Sequence, residues 1–170
     1  MASLALVIGL ASCGGSSGYS GNEIEFSKGT FAETLVEAQI TSLFAEIYTS
    51  VVPSLPADQD GGKTLFAPTN NAIENYLVEN SETVEGIISK PDVALSFVLR
   101  HMFGQEVSAT DLLNMSGEVL AMLNGSLFTV GTISGATQLV SESGLKSSVI
   151  AIDLGSTDGV VHIVDAVLRP

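Results

Sequence analysis

Apolar residues recur at spacings of three and four between Phe26 and about Thr49. Val36, Ile40, Leu43, Phe44 and Ile47 form one stripe, and that spacing predicts one long helix. Thr30, with Glu33 three residues on, offers a capping box for its start. Pro53, Pro56 and the run "ADQDGG" then break the pattern and predict a loop over 50–62. "KTLFAP", residues 63–68, reads as a short strand stopped by proline. Thr69, Asn70 and Asn71 are all suited to cap a helix, and Asn71 with Glu74 imitates a second capping box. A helix is predicted from about Ala72 to Glu79, with Ile73, Tyr76 and Leu77 on one side. Ser89, Pro91 and Asp92 mark a further helix start, and Leu95, Val98, Leu99 and Met102 supply its stripe.

After Gly104 the texture changes. Asn124-Gly125 separates two apolar runs, a pattern that predicts a tight hairpin. Asp158-Gly159 repeats the signal near the end of the chain. The last run, Val160 to Leu168, is apolar on both alternating faces, which predicts a strand covered on both sides. Helices come first and strands follow, so the class is α+β and not alternating βαβ.

Composition narrows the function. With 45% hydrophobic and 15% charged residues, the chain can bury a core and is not of disordered type. A net charge of −13 with only six Lys and Arg excludes nucleic acid as a partner, because phosphate binding needs clustered basic residues. Asp58-x-Asp60-x-Gly62 starts like a calcium loop, but Lys63 and Thr69 stand where such a loop needs Gly and Glu.

The front end reads "MASLALVIGLASC". Leu4 to Ala11 has the length of a signal-peptide apolar region and is too short to span a bilayer. Leu10-Ala11-Ser12-Cys13 resembles the lipobox of bacterial lipoproteins, in which the signal is cut before Cys and the Cys is acylated. Cys13 is the chain's one cysteine, so no intrachain disulfide competes for it. A Gly/Ser-rich stretch follows, suited to a flexible tether. The expected organisation is a signal peptide at 1–12, a tether at 13–25 behind lipidated Cys13, and one domain at 26–170. The expected location is the bacterial cell envelope, lipid-anchored in the outer membrane or periplasm, or the secreted space.

Three segments then converge on one family. "TLFAPTNNAI" (64–73) resembles the first signature of fasciclin (FAS1) domains, and "DGVVHIVDAVLRP" (158–170) resembles the second. Between them "LSFVLRHMFGQEV" is similar to the family's central Tyr-His segment, with His101 in register and Arg100 where the Tyr usually stands. Ile73 replaces a usual Phe. The resemblance covers roughly 26–170. It implies a β-wedge or sandwich of about seven strands with several helices packed at one side. It also implies extracellular adhesion or surface assembly without enzymatic activity.

Candidate chemistry is sparse. There are two histidines, His101 and His162, and no Gly-x-Ser-x-Gly elbow. His162 lies on an apolar face and reads as a satisfied core residue. Asp165 falls on the other face with Val161, Ile163 and Val167. It is expected half-buried, accepting hydrogen bonds near the Thr69 segment. Thr64, Phe66, Pro68, Thr69, Asn70, His162 and Asp165 are therefore expected to carry structure. Arg100, His101, Met102 and Phe103 are the candidate partner-binding segment, and a buried structural role is the other reading of His101. No catalytic residue, cofactor or metal is expected. The leading function is an anchored, non-enzymatic module that contacts a cell-surface or matrix protein or polysaccharide. It would touch membrane through its lipid only. The alternative is a carrier or sensor of a small apolar ligand.

Overall fold

Two strands distant in sequence lie side by side within one sheet. β1 (Lys63–Pro68) runs parallel to β7 (Gly159–Val164), with Thr64 opposite Val160, Phe66 opposite His162 and Pro68 opposite Val164. Every residue of β7 is buried, as are all of β1 except Lys63. Near-continuous apolar runs of this kind suit parallel strands covered on both faces. The computed structural model describes residues 29–56 and 62–170.

The remaining strands extend the sheet on either side. They are β2 (Met102–Phe103), β3 (Val119–Ala121), β4 (Leu127–Ile133), β5 (Ala136–Ser141) and β6 (Lys146–Ser156). The order is β2-β1-β7-β6-β5-β4-β3, and every contact except β1–β7 is antiparallel. With its helices the fold is mixed α+β with a seven-stranded sheet, as the sequence led one to expect.

The β1–β7 pair separates two cores. On one side Leu65, Ala67 and Val161 pack against helices α1 (Phe31–Glu37), α2 (Ser42–Val51), α3 (Asn70–Asn80), α4 (Val84–Ile88) and α5 (Pro91–Leu99). Phe31, Phe44 and Phe97 are fully or almost fully buried there. On the other side Phe66 and Val164 join Leu120, Phe128 and Leu139, with Leu112 of helix α6 (Ala109–Asn114) closing that core. Strand alternation explains the split, since Leu65 and Phe66 must point to opposite faces. Each large apolar side chain removed from water contributes about 1.5–3 kcal/mol.

β6 turns the sheet. Its residues 146–148 pair with β5, and 149–156 pair with β7. The register to β7 shifts between Val149 and Ala151 and again between Ala151 and Leu154, and Asp153 has φ 55°. Such irregularities bend a strand and re-aim its backbone groups.

Several expectations are corrected. The single long helix is two, α1 and α2, separated by residues 38–41 with Gln39 at φ 40°. Thr30 and Glu33 do form the capping box of α1. Thr69, not Asn71, caps α3, which starts at Asn70. α4, α6 and the β4–β5 hairpin were not legible, and the final strand stops at Val164 rather than Leu168. The proposed signal peptide, Cys13 and the tether lie outside the described residues.

Candidate functional site

The stretch 64–73 works as a joint. Thr64 is buried; its hydroxyl donates to the Gln105 carbonyl (2.8 Å) and accepts the Val107 N–H (2.9 Å). This ties β1 to the chain entering α6. Pro68 ends the strand, and the Thr69 N–H continues the ladder to the Val164 carbonyl at 3.0 Å. The Thr69 hydroxyl accepts the Ala72 N–H at 3.2 Å, satisfying one of the free donors at the start of α3.

Asn70 reaches furthest. Its Oδ1 accepts the Leu43 N–H at 3.0 Å, while its Nδ2 donates to the Gln39 carbonyl and the Ser42 hydroxyl, each at 3.1 Å. Its backbone N–H donates to the Ile40 carbonyl at 2.6 Å. Asn70 therefore holds the turn that splits the first two helices. Thr41, buried in that turn, donates its hydroxyl to the Leu35 carbonyl at 2.8 Å.

Both histidines are buried and bonded through both ring nitrogens. His162 Nε2 lies 2.9 Å from the Val107 carbonyl, and Nδ1 accepts the Asp153 N–H at 3.2 Å. A carbonyl can only accept and an amide N–H can only donate, so the ring is the neutral Nε2–H tautomer. The left-handed Asp153 is what brings its amide to the ring. Phe66 packs against the imidazole at 5.7 Å between centroids. His101 has the opposite tautomer: Nδ1–H donates to the Phe97 carbonyl at 2.8 Å, and Nε2 accepts the Leu168 N–H at 3.1 Å. Phe97 and Phe44 lie against it at 5.1 and 5.3 Å.

Burial holds both rings neutral. Desolvation lowers the His101 pKa to about 3, against the smaller opposing pull of its Phe97 hydrogen bond; neighbouring Arg100 lowers it further. Desolvation also lowers that of His162, opposed by the Val107 bond and by Asp153. Neither ring can act as a general base, since the lone pair of each already accepts a backbone N–H and neither ring meets solvent.

Arg100, His101, Met102 and Phe103 do not form an exposed face. His101 and Met102 are buried, Phe103 is partly buried in the second core, and the Arg100 guanidinium reaches the Leu168 carbonyl at 3.5 Å. Met102 is half of β2 and pairs with Leu65. The sequence stripe could not show that the C-terminal residues lie over this segment. Asp165 also departs from expectation. It is exposed, because β7 ends one residue earlier. Its carboxylate accepts the Ser148 N–H at 2.6 Å and its own N–H donates to the Ser148 carbonyl at 3.0 Å. It does sit beside the Thr69 segment, lining a depression with Asn70 and Asn71.

Two signature segments are thus hydrogen-bonded into one structural unit, with Thr69 on Val164 and Phe66 beside His162. Residues 29–170 match the fasciclin domain model. The chain belongs to the fasciclin domain family. A stretch of 113 residues is 29% identical to the protein sll1483 of Synechocystis sp., covering 65% of this chain and 57% of that protein. Another of 145 residues is 25% identical to Stabilin-1 of Mus musculus, covering 85% of this chain and 5% of that protein. The chain therefore spans little more than half of one curated relative and a small part of the other. A solved FAS1 domain pair from the insect cell adhesion molecule fasciclin I is 17% identical, with a TM-score of 0.49, over 81% of this chain and 43% of that one.

In this fasciclin domain, among the described residues, no three His, Cys, Asp or Glu side chains are grouped to hold a metal ion. Nor is any described helix long and apolar enough to cross a membrane. Open depressions of about 550, 420 and 290 Å³ lie around the α1–α2 turn. Fasciclin domains are generally non-catalytic and associated with adhesion-type proteins.

Proposed function

We propose that this protein is an envelope-anchored, non-enzymatic interaction module that binds a cell-surface or matrix protein or polysaccharide through its fasciclin domain. The observation that carries this reading is the use of both histidines and both signature segments in backbone hydrogen bonds. Recognition is left to exposed side chains. The lipobox-like Cys13 supports a lipid tether. The carrier reading has less support, because Phe44, Phe97 and Leu65 fill the space between helices and sheet.

Deletion of the gene, with complementation by wild type and by Cys13→Ser, tests the proposal in an attachment or biofilm assay. Reduced attachment restored only by the wild type is expected. Unchanged attachment in the deletion strain would overturn the adhesion reading.

A further inference from the structure

Apolar side chains and carboxylates share one surface around the α1–α2 turn. Val36 is 62% exposed, Ile40 50% and Ile150 54%. Three depressions meet here. The first, about 290 Å³, is lined by Ala32, Glu33, Val36 and Glu37. The second, about 550 Å³, shares Val36 and adds Ser42, Ala45, Glu46 and Ile88. The third, about 420 Å³, lies between Ile40 and Ile150, with Asn70, Asn71 and Asp165. Ser42 of the second and Asn70 of the third are hydrogen-bonded at 3.1 Å, so these two adjoin. An apolar surface of this kind, rimmed by polar groups, marks a binding face.

Charge selects the occupant. Glu33, Glu37, Glu46 and Asp165 line the three depressions, and among the described residues no Lys or Arg does. The carboxylates repel anionic lipid and anionic polysaccharide and attract ammonium and guanidinium groups. Exposed aliphatic groups between them match the stems of long basic side chains and neighbouring Leu or Ile. We propose that this face binds a cationic, amphipathic polypeptide segment. Its aliphatic residues enter the depressions beside Val36, Ile40 and Ile150, and its Lys or Arg residues meet the carboxylates. This names the partner chemistry of the interaction module proposed above and rests on that reading.

The probe is a synthetic peptide of leucine and lysine at helical spacing, compared with a scrambled isomer of the same charge. Titration calorimetry uses the full chain. The wild type is expected to bind the periodic peptide about ten-fold more tightly than the scrambled one. Val36→Ser with Ile40→Ser is expected to remove about that factor, while Val78→Ser, at an 80% exposed site on α3, leaves it intact. Ile150→Ser repeats the test on a separate element if the double variant fails to fold. Equal affinity for both peptides, no binding, or binding unaffected by these serines overturns the proposal. So does sedimentation showing a dimer that Val36→Ser with Ile40→Ser dissolves, because the occupant is then a second copy. If peptide binding fails while the deletion strain still loses attachment, the site falls and the adhesion reading stands.

Discussion

His101 Nε2 accepts the backbone N–H of Leu168 at 3.1 Å, joining residues 67 positions apart at the base of α5. That bond exists only while the ring is neutral. An unfolded histidine titrates near pH 6.5, whereas folded His101 does so at about 3 and folded His162 below its ordinary value. Between those limits the unfolded chain binds protons that the native chain does not. Stability is therefore fully present above about pH 6.5 and is lost as pH falls toward 3. Each histidine contributes a slope of up to about 1.4 kcal/mol per pH unit. Urea midpoints between pH 7.5 and 5.5, where ordinary carboxylates stay ionised, should fall in the wild type and fall less steeply in His101→Gln. An identical slope in both proteins would rule out this assignment for His101.

Asn70→Ala removes the acceptor of the Leu43 N–H and the donor to the Gln39 carbonyl together. The expected loss is about 1–3 kcal/mol in denaturant melts. Hydrogen exchange gives a sharper check, because the Leu43 amide should lose protection before the α5 amides do. Thr69→Ala removes only the cap of α3 and should cost about 0.5–2 kcal/mol.

Gly159→Ala should be among the most damaging single changes. Gly159 has φ 137°, and a Cβ there would collide with the Lys63 peptide of β1. Gly135, in the β4–β5 turn, is also left-handed at φ 82°, but a methyl group added there would meet nothing within 4 Å. Alanine at Gly135 should cost about 1 kcal/mol, from backbone preference alone. Comparable thermal shifts for the two variants would refute the close approach of β1 and β7 at this point.

Thr64→Val keeps the shape of the side chain and deletes both its hydrogen bonds. The Val107 N–H is then left without its acceptor, and about 1–3 kcal/mol should be lost. Thr64→Ser keeps the hydroxyl and should retain most of the stability. Chemical denaturation of the two variants separates the hydrogen bonds from the packing.

Local signals in the sequence were sufficient where local chemistry decides. Asn124-Gly125 lies at the turn between β3 and β4, and Asp158-Gly159 at the turn between β6 and β7. Thr30 with Glu33 caps α1. Legibility failed where a distant residue decides. The break between α1 and α2 depends on Asn70, about thirty positions downstream, so the stripe from Val36 to Ile47 looked continuous. α4 has five residues and α6 six, too short for a period to show. His162 reads as a core residue from its apolar neighbours, but its partners, Val107 and a left-handed Asp153, are set by the bend in β6. The exposed face at Val36, Ile40 and Ile150 was hidden for the opposite reason. Val36 and Ile40 belong to the same stripe as Phe44 and Ile47, and only the turn at Gln39 moves them outward.

The β1–β7 pairing also sets a timetable for synthesis. β1 is made early, yet one edge of it has no hydrogen-bonding neighbour until residues 159–164 exist. Contacts of such separation form late and slow folding. A growing chain consequently carries an apolar strand with one edge unpaired until residues 159–164 leave the ribosome. A protease can cut that state before the pairing closes.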